Sequence, residues 1–423
     1  MKSAGGLQLS RRGLLTGIVA VAGSWALPAV AEETPLEAFL RDRAVREWES
    51  KFDGTQVTAG ELMSDQPLLS PSTAAQIERV LPIYQDIVAR GGWRPIGGPK
   101  RMKIGTSNPA VVELRQRLAI TGDLPNPQNG VQDVFDSFVD AAVRRFQIRH
   151  GLKPTGAVDQ ATRDIMNVPA ELRLRQLETN LVRVRSMSGF LGDRYVFVNI
   201  PAAELEAVEG GRVVARHTAV VGKVDRQTPV LTSRVTDINF NPYWTVPVSI
   251  IRKDLIPKMK EDPSYFDRLK IRIFNGAQEL HPSQINWDSD ELTRLTVRQD
   301  PGEMNAMGSV KINFPNEHTV YMHDTPFKNM FGDNARFHSS GCMRIQNVRE
   351  LVTWILRDTP NWGPEQVDYM FQNVQRVDAK VKNSPAVYTN YITAWATANG
   401  IVHFRDDVYG RDGIGELAAA QQL

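Results

Sequence analysis

Residues 323–344 read HDTPFKNMFGDNARFHSSGCMR, and the interpretation of the whole chain starts from this stretch. It contains Cys342, the only cysteine among 423 residues, and two of the seven histidines. A thiol and an imidazole brought together by a turn-rich loop are the minimum equipment of a cysteine nucleophile with a histidine base. The stretch therefore predicts nucleophilic chemistry at Cys342, with a histidine of the same stretch as the base.

The flanking residues predict the elements that carry this loop. Residues 318–323 (HTVYMH) favour a strand that delivers His323 at its end. Asn347, with Glu350 three residues later, fits a helix start. The apolar positions that follow repeat at helical spacing, at Val348, Leu351, Val352 and Ile355.

A structural interpretation of the cysteine stands beside the catalytic one. A lone cysteine is more often a small buried hydrophobic residue than a nucleophile. Ser339, Ser340 and Gly341 precede Cys342, however, and such residues suit an exposed turn. An unpaired cysteine is also an oxidation hazard in an exported protein, which a packing role does not explain.

The first 31 residues have the pattern of an export signal. Lys2, Arg11 and Arg12 form a basic region, an apolar run follows from Leu14, and residues 29–31 supply small side chains for cleavage. The arginine pair resembles a twin-arginine signal. We expect a cleaved segment and a periplasmic protein without a stable membrane span, although an uncleaved anchor remains the alternative.

Composition limits the classes of function. Removal of residues 1–31 takes away three positive charges and lowers the formal net charge from +2 to −1, so no basic surface predicts a nucleic-acid partner. No Rossmann glycine pattern, P-loop or HExxH motif occurs, and we expect no cofactor. His318, His323 and His338 do not have the spacing of a closed zinc site, and we expect no metal.

Residues 101–168 predict a compact bundle of three helices. Asn108 and Pro109 fit the start of the first helix, Gly151 ends the second and Asp159 can cap the third. The segment resembles the peptidoglycan-binding domain of bacterial wall enzymes, and some such domains only pack against a catalytic domain. The matching positions are Ala142, Val143, Phe146, Gln147, Gly151, Leu152, Gly156 and Thr162.

From residue 194 the pattern changes to strands, at residues 195–200, 213–221 and 235–240. This β region, together with the HDTP and SSGCMR motifs, resembles the L,D-transpeptidases with a YkuD-type catalytic domain. The similarity is greatest to the large periplasmic branch, which has a capping insertion before the histidine. Further matching segments are residues 221–223, 228–229, 241–247, 298–306, 391–395 and 404–410.

The resemblance implies roles for individual residues. Cys342 would be the nucleophile and His323 the base, while Gly341 and nearby backbone N–H groups would form an oxyanion hole. Arg344 would hold the loop or a substrate carboxylate. Ser339 precedes Ser340, which stands where many members have a second histidine, so the partner that orients His323 stays open.

The resemblance also implies a substrate and a reaction. The enzyme would attack a tetrapeptide stem of peptidoglycan, release the terminal D-Ala, and pass the acyl group to a diamino-acid side chain of a second stem as a 3→3 cross-link. Water as acceptor would make it an L,D-carboxypeptidase, and a protein amine would make it an enzyme that attaches an outer-membrane protein. A non-catalytic wall-binding scaffold, which uses residues 101–168 on glycan strands, is the alternative of another class.

The expected fold is multidomain α+β, with a small helical bundle and a mostly β catalytic domain that carries a helical capping insertion. The insertion is either a lid or a surface feature without a catalytic role. The expected parts are an export signal (1–31), a helical scaffold (32–100), a peptidoglycan-binding-like domain (101–168), a connecting helix (169–192), a catalytic domain (193–375) with its insertion (248–296), and an extension that packs on it (376–423). Within the scaffold we expect two amphipathic helices, whose apolar residues are Leu36, Phe39, Leu40 and Ala44 in the first and Ile83, Tyr84, Ile87 and Val88 in the second.

Overall fold

The computed structural model describes residues 65–187, 189, 191–289 and 291–413. The expected export signal and the first helix expected in the scaffold, near residues 36–44, lie outside these ranges. Within the described ranges, no helix combines the length and the hydrophobicity that a membrane crossing requires.

The helices and strands of this part follow in chain order. The helices are α1 (Pro71–Ala89), α2 (Ala110–Ile120), α3 (Ser137–Arg149), α4 (Gln160–Met166), α5 (Ala170–Met187), α6 (Val248–Ile250), α7 (Ile256–Glu261), α8 (Tyr265–Arg268), α9 (Val348–Leu356) and α10 (Pro364–Gln372), with a π-helical turn at Ile251–Leu255. The strands are β1 (Arg194–Asn199), β2 (Glu204–Glu209), β3 (Arg212–Gly222), β4 (Leu231–Arg234), β5 (Asp237–Phe240), β6 (Trp244–Thr245), β7 (Ile271–Asn275), β8 (Gln278–Leu280), β9 (Thr296–Gln299), β10 (Val310–Asn313), β11 (Met322–His323), β12 (Phe337–Ser339), β13 (Met343–Ile345), β14 (Val377–Lys380), β15 (Ala386–Asn390), β16 (Ala394–Ala396) and β17 (Val402–Phe404).

Helices α2, α3 and α4 form the three-helix unit that the sequence predicts. Their apolar faces meet in one core, which includes Leu114, Val143 and Phe146. The Asp159 carboxylate accepts the Thr162 N–H at 2.9 Å, as expected of a helix cap. One detail differs, because Pro109 precedes the first helical residue instead of occupying that position.

Helix α1 buries a different face from the one expected. The sequence suggested a stripe of Ile83, Tyr84, Ile87 and Val88, but Ile83 is 56% exposed. The buried stripe runs through Ile77, Val80 and Tyr84 and packs in a core with α5 and β17. These positions recur every three to four residues, which turns Ile83 away from the core.

The catalytic region is built on one large curled sheet. Among the described residues the strand order is β14-β5-β10-β11-β13-β3-β2-β1-β15-β4, and β12 pairs with β3. Helices α9 and α10 contribute to the main core of this sheet. The segment expected to pack on the catalytic domain from residue 376 instead supplies β14 and β15 to the sheet itself.

Two local predictions around the central stretch need correction. The strand expected over residues 318–323 is only Met322–His323, because Thr319 has φ of +53° and the Asn316 side chain accepts the Val320 N–H in a local turn. Helix α9 follows Asn347, and its predicted apolar face is buried. Asn347 nevertheless caps it without a side-chain hydrogen bond, since its backbone is left-handed, with φ of +51°.

The insertion, residues 248–296, begins with helix as expected and also contains sheet. Strands β6, β9, β7 and β8 form a separate four-stranded sheet. Ile251, Leu255, Phe266 and Ile273 belong to a hydrophobic core distinct from that of the large sheet. The insertion is therefore a small packed body whose position depends on its contacts with the large sheet.

Candidate active site

The cysteine loop, residues 339–342, connects β12 to β13. The Ser339 hydroxyl donates to the Cys342 carbonyl at 2.5 Å and accepts the Gly341 N–H at 3.1 Å. The buried Thr228 hydroxyl donates to the Gly341 carbonyl at 2.9 Å. Gly341 has φ of +110°, a conformation that side chains with a Cβ rarely adopt. These contacts fix the shape of the loop before Cys342.

Strand β11 places His323 between two cations. Lys311 on β10 is its antiparallel partner, and Arg344 on β13 is its parallel partner. The ring Nδ1 lies 2.5 Å from the carbonyl oxygen of Asp324. Because a carbonyl only accepts, Nδ1 carries the proton and Nε2 is left as an acceptor, which is the form a general base needs.

The electrostatics keep both reacting groups neutral at rest. Burial, followed by the positive charges of Arg344 and Lys311, lowers the pKa of His323 to about 3 against the hydrogen bond to Asp324. Burial also raises the pKa of the Cys342 thiol, while Tyr321 and the same two cations oppose this effect. The site thus contains a neutral thiol and a neutral imidazole, a state that suits proton transfer during attack instead of a preformed ion pair.

Tyr321 is a component of the site that the sequence analysis did not identify. Its side chain lines the same cavity as Cys342 and Trp244, and burial is the main cause of the raised pKa of its hydroxyl. The Lys311 ammonium lies 4.3 Å from the centroid of its ring. Tyr321 lies two residues before His323, so in an extended segment both side chains point to the same face. This spacing was the sequence signal that could have placed Tyr321 in the site.

Cys342 and His323 open into one cavity of about 330 Å³. Three cationic side chains, Lys223, Arg226 and Arg344, share its wall with one acidic side chain, Asp254. Since Asp254 is paired with Arg226, the cavity keeps a net positive character. A larger cavity of about 410 Å³ near residues 331–336 contains neither Cys342 nor His323, so side-chain chemistry and not size selects the site.

Arg344 is half-buried and has no carboxylate within ion-pair distance among the described residues. One of its terminal nitrogens lies 2.9 Å from the Met330 sulfur, and its Nε is buried without a partner. Burial lowers the pKa of its guanidinium. This arrangement leaves guanidinium N–H donors of Arg344 for an anion. It is compatible with both roles expected for Arg344, which are to hold the loop and to bind a substrate carboxylate.

Other candidates lie outside the reacting pair. The Asp324 carboxylate accepts the Ser309 N–H at 3.0 Å and pairs with Lys328. It therefore faces away from the His323 ring, as expected of the next residue along a strand. His338 lines the cavity but is exposed, with its Nε2 at 3.7 Å from Asp333. Within the described ranges, no three His, Cys, Asp or Glu side chains converge as metal ligands would.

Comparison with known families assigns the two expected domains. Residues 193–378 match the model described as "L,D-transpeptidase catalytic domain". Residues 107–166 match the model described as "Putative peptidoglycan binding domain".

Individual relatives agree with the family assignment. A Haemophilus influenzae protein described as "Putative L,D-transpeptidase" is 32% identical over 240 residues, which are 56% of this chain and 48% of that protein. The chain thus spans about half the length of this curated relative.

Two solved structures are similar at low identity. An L,D-transpeptidase from Mycobacterium smegmatis shares 13% identity over 47% of this chain and 58% of its own, with a TM-score of 0.23. One from Stackebrandtia nassauensis shares 12% over 70% of this chain and 97% of its own, with a TM-score of 0.22. These TM-scores are too low to support an argument, so the assignment depends on the family models and the curated relative. The catalytic domain of this chain, residues 193–378, belongs to the L,D-transpeptidase family.

Proposed function

We propose that this protein is an exported peptidoglycan L,D-transpeptidase that forms 3→3 cross-links through a Cys342 thioester. The observation that carries the proposal is the shared cavity of Cys342 and His323, with the imidazole fixed by the Asp324 carbonyl. In the first step the sulfur attacks the carbonyl carbon of the third residue of a tetrapeptide stem. His323 Nε2 takes the thiol proton, as the neutral state of both groups allows.

His323 transfers the proton in both half-reactions, acylation of Cys342 and transfer of the acyl group. The C–N bond to the terminal D-Ala breaks, and His323 returns its proton to the leaving amine. The acceptor amine of a second stem attacks the thioester, the C–S bond breaks, and the surplus proton passes through His323 back to the sulfur. The neutral resting pair supports this general-base route in preference to a preformed thiolate.

The oxyanion of each tetrahedral intermediate requires donors close to Cys342. The Gly341 N–H, one of the donors expected, already donates to Ser339. The backbone N–H of Cys342 and the Tyr321 hydroxyl are therefore the donors we propose. Each such donor contributes about 3 kcal/mol of transition-state stabilisation.

The charge of the cavity suits an anionic peptide. Stem peptides carry carboxylates, and the wall offers the guanidinium of Arg344 with no carboxylate partner in the described part of the chain. Arg344 is thus proposed to bind a substrate carboxylate, which a planar guanidinium does with two parallel hydrogen bonds. The insertion contributes Ser249, Ile250 and Asp254 to the wall and would shield the thioester from water.

The remaining parts fit an enzyme that acts on the cell wall. Export to the periplasm, by the twin-arginine route, follows from the pattern in residues 1–31. Residues 101–168 would bring the enzyme to glycan strands, or serve only to pack on the catalytic domain. Arg149 donates to the Val402 carbonyl of β17 at 3.2 Å, which supports a fixed position for this domain.

Intact-protein mass spectrometry after incubation with a carbapenem tests the nucleophile. We expect an adduct on the wild type and none on Cys342→Ala, and a wild type without an adduct would favour the wall-binding scaffold. Muropeptide analysis of purified wall treated with the enzyme then identifies the acceptor. New 3→3 dimers support cross-linking, shortened stems indicate a carboxypeptidase, and a stem-linked protein indicates an attachment enzyme.

A further inference from the structure

Arg226 connects two segments that are distant in the sequence. Its Nη1 donates to Asp254 Oδ2 at 2.5 Å, and its Nη2 donates to Asp254 Oδ1 at 3.1 Å. Nη1 also donates to the Ser340 hydroxyl at 2.8 Å. Asp254 belongs to the π-helical turn of the insertion, and Ser340 lies two residues before Cys342. One guanidinium thus binds both the insertion and the cysteine loop.

The backbone that carries Arg226 is fixed to the large sheet. The Gly222 N–H donates to the Thr228 hydroxyl at 2.9 Å, and this hydroxyl donates to the Gly341 carbonyl at 2.9 Å. The Tyr409 hydroxyl in turn donates to the Gly222 carbonyl at 2.6 Å. The turn is therefore held to the cysteine loop, and the Arg226 side chain, 12% exposed, is pre-organised for its partner.

The insertion, in contrast, is a separate packed body. Its core is distinct from the core of the large sheet, and among the described residues no shared hydrophobic cluster fixes its helical end over the cavity. At its base, Trp244 on β6 lines the cavity together with Tyr321 and Cys342. At its helical end, Asp254 reaches Arg226. The Arg226–Asp254 bridge is thus a charged contact that joins the helical end to the cysteine loop.

We propose that Arg226 is a positioning residue that holds the insertion over Cys342 and so sets how the acyl-enzyme divides between amine transfer and hydrolysis. This inference rests on the proposed function. If the helical end moves away, water adds to the thioester carbonyl, the C–S bond breaks, and the sulfur takes up the proton. The products are then a free stem carboxylate and the resting thiol, without a cross-link.

The decisive variants are Asp254→Asn and Arg226→Lys. Asp254→Asn keeps the shape of the side chain and removes its negative charge. Arg226→Lys keeps the positive charge but removes the planar guanidinium that binds both Asp254 and Ser340. With a synthetic tetrapeptide donor and an amine acceptor, the ratio of hydrolysis to transfer is expected to rise about fivefold. This corresponds to about 1 kcal/mol, the upper range for a partly exposed ion pair. The rate of D-Ala release should change less than this ratio.

A charge-swapped double variant distinguishes a role in positioning the insertion from a general loss of structure. Arg226→Asp with Asp254→Arg restores a bridge between the two bodies and should recover part of the wild-type ratio. Arg268→Lys is the matched control, because its partner Asp262, at 2.7 Å, lies within the insertion as Arg268 itself does. This change should leave the ratio unaltered.

Hydrogen exchange provides a readout that needs no turnover. Amides of residues 248–261 should exchange faster in Asp254→Asn than in the wild type. Unchanged exchange there, or an unchanged product ratio in an active Asp254→Asn enzyme, overturns the inference. A wild type that releases no D-Ala and takes no carbapenem contradicts the proposed function instead, and the exchange measurement still decides whether the bridge positions the insertion.

Discussion

His323 Nδ1 lies 2.5 Å from the main-chain carbonyl oxygen of Asp324, so the proposed base is oriented by the backbone of the next residue. The sequence left this partner open, because the second histidine of the usual motif is replaced by Ser340. A backbone acceptor fixes the tautomer without adding a negative charge. The hydrogen bond opposes the burial and the two cations that lower the pKa of His323, but it does not outweigh them.

The first prediction concerns the pH dependence of acylation. Because the pKa of His323 is lowered to about 3, the imidazole stays neutral well below its usual range. The acid limb of kcat/KM should thus lie below about pH 5 instead of near 6.5. A pH series of D-Ala release checks this prediction. An acid limb near pH 6.5 that is lost only in the His323→Gln variant would contradict it.

The second prediction concerns stability and follows from the same shift. An unfolded chain ionises its histidines near pH 6.5, so between about pH 6.5 and 3 the unfolded state binds more protons at this position than the folded state. The free energy of unfolding should then fall as the pH falls, by about 1.6 kcal/mol between pH 6.5 and 5 for this group. Urea unfolding of wild type and His323→Gln at both pH values measures it, since the variant should lack this part of the loss.

The third prediction is that Asp324 is not the acid of a triad. Its carboxylate binds the Ser309 N–H and Lys328, while only its carbonyl meets His323. Asp324→Asn should keep kcat/KM within about threefold of wild type, whereas His323→Ala should reduce it by about 10² or more. A loss in Asp324→Asn as large as that in His323→Ala would show that the carboxylate acts in catalysis.

The fourth prediction concerns Gly341, at φ of +110°. An added Cβ would meet only ordinary contacts, the nearest being the Gln227 carbonyl oxygen at 3.5 Å, so backbone conformation and not space opposes a side chain. Gly341→Ala should lower the free energy of unfolding by about 1–3 kcal/mol and reduce acylation. Denaturant unfolding checks it. Gly332→Ala, in open space without a positive φ, should change stability by less than about 0.5 kcal/mol.

The fifth prediction concerns a buried ion pair within the three-helix unit. Arg149 Nη2 lies 2.6 Å from Asp123 Oδ2, and both side chains are 4% exposed. Asp123→Asn leaves a buried guanidinium without its counter-charge and should cost about 3–5 kcal/mol of stability. Thermal unfolding measures the loss. Asp86→Asn, at the exposed pair with Arg90, is the control and should cost at most about 0.5 kcal/mol.

Local sequence patterns predicted several helices and their ends correctly. The helical repeat of Val143 and Phe146 and the cap at Asp159 were correct, because they depend on residues within one turn of each other. The strand at residues 318–323 was wrong, because Asn316 offers its side chain to the backbone and competes with the sheet. The buried face of α1 was also misassigned, since the packing partner on α5 selects the stripe.

The sequence by itself predicted the proposed catalytic pair, Cys342 and His323, and the family to which residues 193–378 belong. Only the tertiary structure decided which charges surround them. Lys311 and Arg344 flank His323 through strand pairing, and Arg226 meets Asp254 and Ser340 across 28 and 114 residues of chain. Strand register and long-range contacts are set by burial of the whole chain, so local periodicity does not encode them.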